Sequence, residues 1–322
     1  MLSGLNSVDL ALLLVAGIAL DLLLGEARRW HPLVGFGRLA GALEASLNRG
    51  RLRLRLRLPR GALAWALAVL PFVLLAWWLT WGLADSAGML VHALLLYFCL
   101  GLRSLREHTM PIYSALRSGE LREARRLTGR IVSRDTAQAN ASDLAKAGAE
   151  SLLENGNDAV FGTLFWFLVA GGPGALLFRL ANTLDAMWGY RNERFNLFGR
   201  VAARIDDVLN FVPARLTALS YVVLAPRGGH ARAWRCWRGQ APAWSSPNAG
   251  PVMASGAGAL GIALGGAASY AGVLEQRPPL GLGRAAAPID ILRAWRLVLA
   301  STLLWVGVCC AVALIVYGSG HA

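Results

Sequence analysis

Residues 61–84 read GALAWALAVLPFVLLAWWLTWGLA, and residues 295–317 read WRLVLASTLLWVGVCCAVALIVY. The first segment contains no charged residue, and the second contains only Arg296. A transmembrane helix needs about 20 predominantly apolar residues to cross the hydrocarbon core of a bilayer. Both segments meet that length, and residues 8–24 form a third apolar segment that falls a little short of it. These segments predict helices that cross a membrane.

The composition of the whole chain supports the same interpretation. Of its 322 residues, 56% are hydrophobic and 16% are charged, whereas a soluble domain carries about 25% charged residues. A shortage of charge on this scale means that much of the surface does not face water. We therefore predict an all-α, polytopic integral membrane protein with several transmembrane helices. We expect it to form a single membrane-embedded domain over residues 1–322.

The positive charge of the chain is carried almost entirely by arginine. The net charge is +13, and Lys146 is the only lysine among 32 basic residues. Arg28 and Arg29 follow the first apolar segment, and residues 49–60 carry an alternating Arg-Leu ladder. Basic residues mark the cytoplasmic side of membrane helices, and each arginine beside anionic headgroups contributes about 1 kcal/mol. No DNA-binding signature occurs. The expected partner of this charge is the lipid bilayer and not nucleic acid.

Two further segments shape the expected architecture. Residues 103–158 form the longest polar stretch, rich in arginine and in helix-forming residues, and predict a helical cytoplasmic insert. The apolar run 159–181 is interrupted by Gly171-Gly172-Pro173-Gly174, and its halves are too short to span a bilayer separately. We predict a broken or re-entrant helix pair that returns Asn182 to the cytoplasmic side, with a single kinked span as the alternative. Residues 252–272 are rich in Gly and Ala, which favours tight helix packing.

Acidic residues cluster in one part of the chain: nine of the 19 lie between residues 130 and 215. Lys146, Glu150, Glu154 and Asp158 follow one another at i, i+4 spacing and would share one helical face. The alternative is a solvated face with one Lys-Glu pair. The position of Glu154 and Asp158 beside an apolar run favours a cation site, because neighbouring carboxylates repel one another unless a cation neutralises them. Oxygen ligands of this kind suit Mg²⁺ shared with substrate phosphates.

A second polar region, residues 182–215, is expected on the cytoplasmic side. Asn182 and Asp185 lie three residues apart, as do Arg204 and Asp207, so each pair could present polar groups on one helical face. Arginines of this region are suited to bidentate contacts with carboxylates or phosphates, and buried Arg-Asp pairing is the alternative. Shorter polar clusters lie at His31 and at residues 246–250. The chain has no phosphate-loop, dinucleotide-binding, zincin or nucleophile-elbow motif.

Taken in chain order, these clusters resemble the CobD/CbiB family of cobalamin biosynthesis, from about residue 19 to the last apolar segment. The matching residues are His31-Pro32, Gly37-Arg38, Arg134-Asp135-Thr136, Glu150-Ser151, Glu154-Asn155, Asp158, Asn182-Thr183-Leu184-Asp185, Gly189-Tyr190-Arg191-Asn192-Glu193-Arg194, Ala203-Arg204, Asp206-Asp207, Pro213-Ala214-Arg215 and Ser246-Pro247-Asn248-Ala249-Gly250. There are two departures. Thr163 stands where the family often has proline, and Pro251-Val252-Met253 replaces a common Trp-Pro-Glu.

The resemblance implies a membrane-bound adenosylcobinamide-phosphate synthase. Such an enzyme joins (R)-1-amino-2-propanol O-phosphate, or a related amino alcohol phosphate, to the free propionate of adenosylcobyric acid through an amide bond. ATP and Mg²⁺ are the implied partners, and the corrinoid is a substrate. The implied location is the bacterial inner membrane, multi-pass, with the active site facing the cytoplasm. Other enzymes of the pathway are further candidate partners.

The resemblance also implies roles for individual residues. The candidate catalytic residues are Asp135, Glu150, Glu154, Asp158, Asp185, Glu193 and Asp207. Within that set Asp135 and Glu150 are the candidate bases for the amine, and the candidate Mg²⁺ ligands are Glu154, Asp158, Asp185 and Asp207. The candidate substrate-binding residues are His31, Arg134, Asn155, Asn182, Tyr190, Arg191, Asn192, Arg194, Arg204, Asn210, Arg215, Ser246 and Asn248.

Two other functions compete with this one. A non-catalytic membrane sensor like the AmpE-type proteins would be expected to lose much of the polar core, which this chain keeps. A transporter is suggested by the interrupted apolar run, but no inverted repeat occurs and the acidic residues cluster outside the apolar segments.

Overall fold

A computed structural model describes residues 4–26, 32–49, 54–83, 85–270 and 272–319. Most of these residues are helical. The helices are α1 (Ser7–Leu24), α2 (Pro32–Leu47), α3 (Leu54–Gly82), α4 (Asp85–Cys99), α5 (Leu102–Arg117), α6 (Leu121–Thr128), α7 (Ala141–Gly156), α8 (Gly162–Trp188), α9 (Arg200–Val223), α10 (His230–Gln240), α11 (Ala249–Leu260) and α12 (Ile289–Ser319). A π-helical turn, Asn157–Phe161, joins α7 to α8, and a 3-10 turn, Ala241–Ala243, follows α10.

Strands β1 (Ile262–Tyr270), β2 (Val273–Leu280) and β3 (Arg284–Ala285) form one small sheet in the order β2-β1-β3. Strand β2 pairs antiparallel to β1, and β3 pairs parallel to it. This sheet is an addition to the predicted all-α architecture, which is otherwise confirmed.

Among the described residues, five helical segments are long and apolar enough to cross a membrane. They are Ser7–Leu24, Leu54–Gly82, Ser86–Arg117, Ala141–Trp188 and Ile289–Ser319. Large apolar side chains on these segments remain exposed: Leu74 is 57%, Trp78 66% and Leu314 72% exposed. Exposed apolar surface of this extent marks contact with lipid. The chain is therefore a multi-pass helical membrane protein, as predicted.

The chain folds into two compact units, each assembled from separate segments. The first unit comprises Met1–Gly101, Gly162–Asn210 and Val308–Ala322, and the second comprises Leu102–Phe161 and Phe211–Gly307. The predicted insert 103–158 is mostly helical and lies wholly in the second unit. Its cytoplasmic position, like the interpretation of the chain as one membrane-embedded domain, stays a prediction.

The core of the first unit is formed where α2, α3 and α8 pack together. Ala64 and Ala68 of α3 are fully buried, and their small side chains allow close helix approach. Phe178 and Trp188 of α8 fill the space beside them, together with Phe198. Trp188 and Phe198 stack edge to face at 5.3 Å. This aromatic layer holds the C-terminal end of α8, where the polar residues of the 182–215 region begin.

The break predicted near Gly171 is present. Ala170 and Gly171 leave helical geometry, and Gly171 has φ of 64°, a conformation that glycine adopts without steric cost. The break would leave the Gly172 N–H without its helical acceptor, but the buried His92 of α4 accepts it at Nδ1 (2.9 Å). The backbone N–H freed at this break is therefore hydrogen-bonded inside the protein, as is required at membrane depth. Whether the two halves of α8 are re-entrant stays a prediction.

The Gly/Ala-rich segment 252–272 behaves as expected only in its first half. Every residue of α11 is buried, which confirms tight helix packing there. The helix ends where Gly261 takes a left-handed conformation (φ 68°), and β1 follows. Gly265 and Gly266 both have φ of 70° at a bulge in β1. The expectation of helix packing beyond Leu260 is therefore wrong, because successive glycines with positive φ favour a bulged strand.

The contact between His92 and Gly172 leads to a stability prediction. His92→Ala should lower the melting temperature, because an unpaired buried N–H costs about 1–3 kcal/mol. His92→Asn should stay closer to wild type, because its Oδ1 can take the place of the imidazole Nδ1. Thermal unfolding in detergent, followed by tryptophan fluorescence, measures both. Equal losses in the two variants would show that packing of the ring against Phe167, and not the hydrogen bond, holds the break.

Candidate active site

Glu150 of α7 is the centre of a buried ion cluster in the second unit. Its side chain is 4% exposed and forms ion pairs with Arg134 and with Arg277, whose Nη1 lies 3.2 Å from Oε2. The backbone N–H of Gly265 donates to Oε1 at 2.7 Å. Both guanidinium groups are 11% exposed. Buried charges are costly unless they are paired and hydrogen-bonded. This cluster therefore fixes three segments to one another: the loop before α7, α7 itself and β2.

The local structure explains why these groups meet. Helix α7 begins at a capping box in which Asn140 and Asp143 satisfy each other's backbone N–H groups. The bulge at Gly265 and Gly266 turns the Gly265 N–H toward α7 and leaves both carbonyl oxygens to Arg277, which donates to them at 3.4 Å and 3.2 Å. The sheet therefore delivers one cation and one backbone donor to Glu150.

Asp135 anchors the segment that carries Arg134. Its Oδ2 accepts hydrogen bonds from Ser269 Oγ (3.0 Å) and from the Gly272 N–H (2.8 Å). Its own N–H donates to the Ser269 carbonyl at 2.8 Å. These contacts fix the loop before α7 to the turn between β1 and β2. The structure thus shows Asp135 in an anchoring position, and its predicted role as a base stays a prediction.

A cavity of about 170 Å³ opens beside the ion cluster. Its lining residues are Ile131, Val132, Ser133, Arg134, Glu150, Ser151, Glu154, Asn155, Trp244, Met253, Tyr270 and Arg277. Glu154 lies one helical turn after Glu150, and its carboxylate makes no hydrogen bond or ion pair with any described residue. Arg277 stacks on the Trp244 ring with its Cζ 5.6 Å from the centroid.

The charges around the cavity balance in number, but the two carboxylates differ in their contacts. Two guanidinium groups pair directly with Glu150 and act on Glu154 only through space. Each guanidinium has five N–H donors, and Arg134 gives one of them to Glu150. Glu154 presents an open carboxylate in the same cavity. The arrangement can hold a phosphate or carboxylate at one end and a cationic group at the other.

The alternative interpretation of this helical face is wrong. Lys146 lies 3.8 Å from Asp143 and pairs with it, while Glu150 is buried between arginines. Asn155 donates from Nδ2 to the Ser151 carbonyl (2.9 Å) and hydroxyl (3.1 Å). The predicted Lys-Glu pair is therefore absent, and the face is only partly solvated, because Glu150 is buried while Lys146, Glu154 and Asp158 are partly exposed.

The π-helical turn after α7 carries Asp158. Its Oδ1 accepts a hydrogen bond from Asn157 Nδ2 at 3.0 Å, and Asn157 Oδ1 accepts one from Thr217 Oγ1 at 3.0 Å. Single π-helical turns inside α-helices frequently occur at functional sites. Asp158 is half-buried at this irregular point of the helix.

Arg215, Ser246 and Asn248 form one contact group in the second unit. Arg215 donates to Asn248 Oδ1 (2.6 Å) and to the Pro247 carbonyl (2.9 Å), and its Cζ lies 3.7 Å from the centre of the Phe211 ring. Ser246 Oγ accepts the Ala249 N–H at 3.1 Å. The structure therefore brings together these three predicted residues, and their contacts shape the loop before α11.

In the first unit, polar residues of α8 and α9 converge on Asp206. This buried carboxylate accepts hydrogen bonds from Asn182 Nδ2 (3.3 Å) and from Asn210 Nδ2 (3.2 Å and 3.1 Å). Its role as the common acceptor was missed in the sequence, where Asp207 was preferred. The Asn182 amide connects the end of α8 to α9, whereas Asn210 contacts Asp206 within α9.

Asp185 and Asp207 lie close enough to interact electrostatically. Burial raises the pKa of Asp207, while the positive charges of Arg204 and Arg191 lower it. Both of these arginines are exposed and are free of the buried Arg-Asp pairing that was the alternative interpretation. The pair of carboxylates with two nearby cations is suited to a Mg²⁺ ion carrying phosphate groups.

The loop after α8 contains several of the remaining predicted residues. A Cβ at Gly189 would lie 2.7 Å from the backbone oxygen of Asp185, so only glycine fits here. Asn192 Oδ1 accepts the Phe195 N–H at 3.0 Å in an Asx turn. Tyr190 is 55% exposed, and the exposed Glu193 accepts a hydrogen bond at its carbonyl from Arg57.

Arg194 forms a bidentate ion pair with Glu44 of α2, with its Nε 3.0 Å from Oε1 and its Nη2 2.5 Å from Oε2. Glu44 is 4% exposed. Hydrogen bonds from Arg194 lower the pKa of Glu44 below its ordinary value of 4.5, and burial opposes them. Arg194 therefore ties α2 to the loop after α8, which leaves fewer of its donors for a ligand.

Sequence reasoning missed Glu44 and Arg277. A signal for Glu44 was available, because Phe36, Ala40 and Glu44 occupy successive turns of one buried face, and a lone carboxylate there needs a cation. Arg277 carried no such signal, since it lies on β2, a strand that the sequence did not predict. His31 lies outside the described residues.

No group of three or more His, Cys, Asp or Glu side chains suitable for a metal ion occurs in the described part of the chain. Mg²⁺ is usually held by one or two carboxylates together with substrate phosphates and water, so a pair suffices. Asp185 and Asp207 fit this donor set within the first unit. Glu154 and Asp158 belong to the second unit, and their assignment as metal ligands stays a prediction.

Comparison with known proteins adds an independent finding. A family model described as CobD/Cbib protein matches residues 14–298. The cobalamin biosynthesis protein CobD of Stutzerimonas stutzeri strain A1501 is 56% identical over 291 residues, covering 90% of this chain and 94% of its own length. Its counterpart of the same name in Chromobacterium violaceum is 52% identical over 318 residues, covering 97% and 99%. That of Mycobacterium tuberculosis is 39% identical over 286 residues, covering 86% and 88%. No solved structure matches the chain.

Removing the negative charge of Glu150 should lower the stability of the second unit. Glu150→Gln leaves two buried guanidinium groups without a counter-charge, and breaking such a pair costs about 3–5 kcal/mol. Thermal unfolding in detergent should show a marked drop in melting temperature. Glu123→Gln is the matched control, because its ion pair with Arg126 is exposed and contributes little. A melting temperature for Glu150→Gln as high as that of the control would contradict the structural role of the cluster.

The Glu44–Arg194 pair should make stability depend on pH. Because the pKa of Glu44 is lowered in the folded state, its ionised form stabilises the protein above the ordinary value, and this contribution is lost as the pH falls through the lowered pKa. The difference in melting temperature between wild type and Glu44→Gln should be full at neutral pH and shrink below about pH 4.5. Glu193→Gln, at an exposed carboxylate, should show no such change. A difference independent of pH would refute the assignment.

Proposed function

Because the chain belongs to the CobD/CbiB family and so serves cobalamin biosynthesis, we propose that it is an adenosylcobinamide-phosphate synthase. The proposed reaction joins the free propionate of adenosylcobyric acid to the amine of aminopropanol O-phosphate, or of a related amino alcohol phosphate, at the expense of ATP. The corrinoid is a substrate in this reaction and leaves with the new amide bond.

The observation that carries the proposal is the cavity beside Glu150 in the second unit. Two arginines with donors to spare and the open carboxylate of Glu154 meet there. An amino alcohol phosphate has a phosphate that matches the arginines and an amine that matches the carboxylate. A binding site for two such groups is what this reaction needs and what a sensor does not need.

The chemistry requires an activated carboxylate. Transfer of the terminal phosphoryl group of ATP to a propionate oxygen gives an acyl phosphate. The amine nitrogen then forms the C–N bond, the C–O bond breaks, and phosphate leaves with its electron pair. The protons that the amine loses pass to a base. Both oxygens of Glu150 and Oδ2 of Asp135 already accept hydrogen bonds, so we assign proton acceptance to Glu154.

Activation concentrates negative charge, and cations near the developing phosphate stabilise it. In the first unit Asp185 and Asp207 would hold Mg²⁺, which when bound neutralises charge on the phosphates of ATP. The exposed Arg191 and Arg204 act electrostatically on Asp207 and would bind phosphate or propionate oxygens. Asn182 fixes the end of α8 to α9 through Asp206, and Asn210 holds the Asp206 carboxylate from within α9.

We place the enzyme in the bacterial inner membrane with its polar regions in the cytoplasm. Arginines at positions 103, 106, 117, 122, 125, 126, 130 and 134 support this orientation, because basic residues are retained on the cytoplasmic side. ATP and both organic substrates are then available on the side where the polar residues lie.

Growth of a deletion strain tests the function directly. A bacterium that lacks this gene and cannot make corrinoids de novo should grow when supplied with cobinamide but not with cobyric acid, and the wild-type gene should restore growth on cobyric acid. A sensor or a transporter does not predict that pattern. Growth of the deletion strain on cobyric acid would refute the proposed reaction.

The metal assignment has its own test in the purified protein. Asp207→Asn should lower the rate of amide formation by about 10²–10³-fold, the usual effect of removing one stabilising group from a transition state, while the protein still folds. Asp158→Asn should lower it as well if Asp158 is also a ligand. Glu107→Gln, at an exposed ion pair, is the control and should keep wild-type activity. Folded Asp158→Asn and Asp207→Asn variants with normal rates would refute the metal assignment.

A further inference from the structure

We propose that the cavity beside Glu150 binds the smaller substrate alone: a compact molecule with an ammonium group at one end and a phosphate monoester at the other. This inference rests on the proposed function and assigns one of its substrates to one cavity. Nucleotide and corrinoid bind elsewhere on the protein, with at most their reacting groups at the cavity mouth.

The size of the cavity supports this choice. Its volume is about 170 Å³, whereas pockets for drug-sized ligands measure about 300–1,000 Å³. A nucleoside triphosphate is at least drug-sized and a corrinoid is much larger, so neither fits inside. A three-carbon amine phosphate fits, because it is far smaller than such ligands.

The arginines define the end that receives the phosphate. Arg277 is held rigidly by Gly265, Gly266, Glu150 and the Trp244 ring. Arg134 has its loop anchored through Asp135 and gives only one donor to Glu150. Arg134 lines the cavity. A phosphate monoester carries about −1.5 to −2 charges and three acceptor oxygens, which is the ligand that such a pre-oriented guanidinium recognises.

Glu154 defines the end that receives the ammonium. Glu150 is satisfied by its two arginines and by the Gly265 N–H, so it is not available to the ligand. Glu154 follows one turn later, with its Cβ about 5–6 Å away, and its carboxylate forms no hydrogen bond or ion pair with a described residue. A ligand whose amine and phosphate are separated by two carbons can reach from Arg134 to Glu154. The amine held there lies next to the group proposed to accept its proton.

Binding measurements with three probes test the assignment. The purified full-length protein in detergent is titrated with aminopropanol O-phosphate, with aminopropanol lacking the phosphate, and with propyl phosphate lacking the amine. Each titration is repeated in the presence of adenosylcobyric acid and a non-hydrolysable ATP analogue, so that an obligatory binding order does not hide the site. We expect the complete molecule to bind at least tenfold more tightly than either fragment.

Variants then separate the two ends of the cavity. Arg134→Ala should weaken both phosphate-bearing probes at least tenfold, and Arg134→Lys should restore part of the loss. Glu154→Gln should weaken the complete molecule tenfold or more and leave propyl phosphate unchanged. It removes no internal contact, so it should fold. The matched controls are Arg122→Ala and Glu120→Gln, both at exposed positions of the same unit, and they should bind all probes like wild type.

The outcomes distinguish this inference from the proposed function. If Arg134→Ala and Glu154→Gln bind the complete molecule like wild type while the wild-type protein forms the amide, the cavity assignment is overturned and the function stands. If wild type binds the complete molecule no better than its fragments under any condition, the assignment is likewise overturned. If the complete molecule binds as expected but no amide forms with ATP and adenosylcobyric acid, the proposed function fails and the binding site remains.

Discussion

The pairing of one buried carboxylate, Glu150, with two arginines is the constraint on which the second unit depends. Each of these charges would be strongly unfavourable in the interior by itself, and the cluster is stable only when all three meet. Arg134 comes from the loop before α7, and Arg277 comes from β2, more than a hundred residues later in the chain. The small sheet therefore supplies two of the partners of Glu150. It carries a cation and the Gly265 N–H to α7, and so it builds one wall of the cavity.

In the first unit, buried polar groups are also compensated, but by different residues. Arg194 neutralises the buried Glu44, His92 accepts the N–H released at the break in α8, and Asp206 accepts two asparagine amides. Glu154 differs from these groups, because its carboxylate forms no hydrogen bond or ion pair with a described residue, and Arg134 and Arg277 act on it only through space. Its carboxylate faces the cavity beside Glu150. Such exceptions mark functional positions, where activity and stability favour different residues.

Much of the architecture followed from local patterns. Three long apolar segments predicted three of the membrane-spanning helices, and the Gly-Gly-Pro-Gly run predicted the break in α8, which falls at Ala170 and Gly171. The acidic and arginine-rich clusters, read in order, indicated the family that the comparisons then showed over residues 14–298. These features depend on neighbours close in sequence, because helix length, backbone freedom and side-chain spacing are local properties.

What the sequence alone determined was that the chain is a helical membrane protein whose polar residues gather in a few places, and which residues those are. What the tertiary structure decided was their partners. It showed that Glu150 is an anchored ion-pair centre, that Arg277 and Glu44 complete the two clusters, and that Glu154 remains open. The reason is physical: the role of a buried charge depends on which opposite charge reaches it, and here those charges arrive from segments far away in the chain. Spacing along one helix cannot reveal a partner that comes from a strand or from another helix.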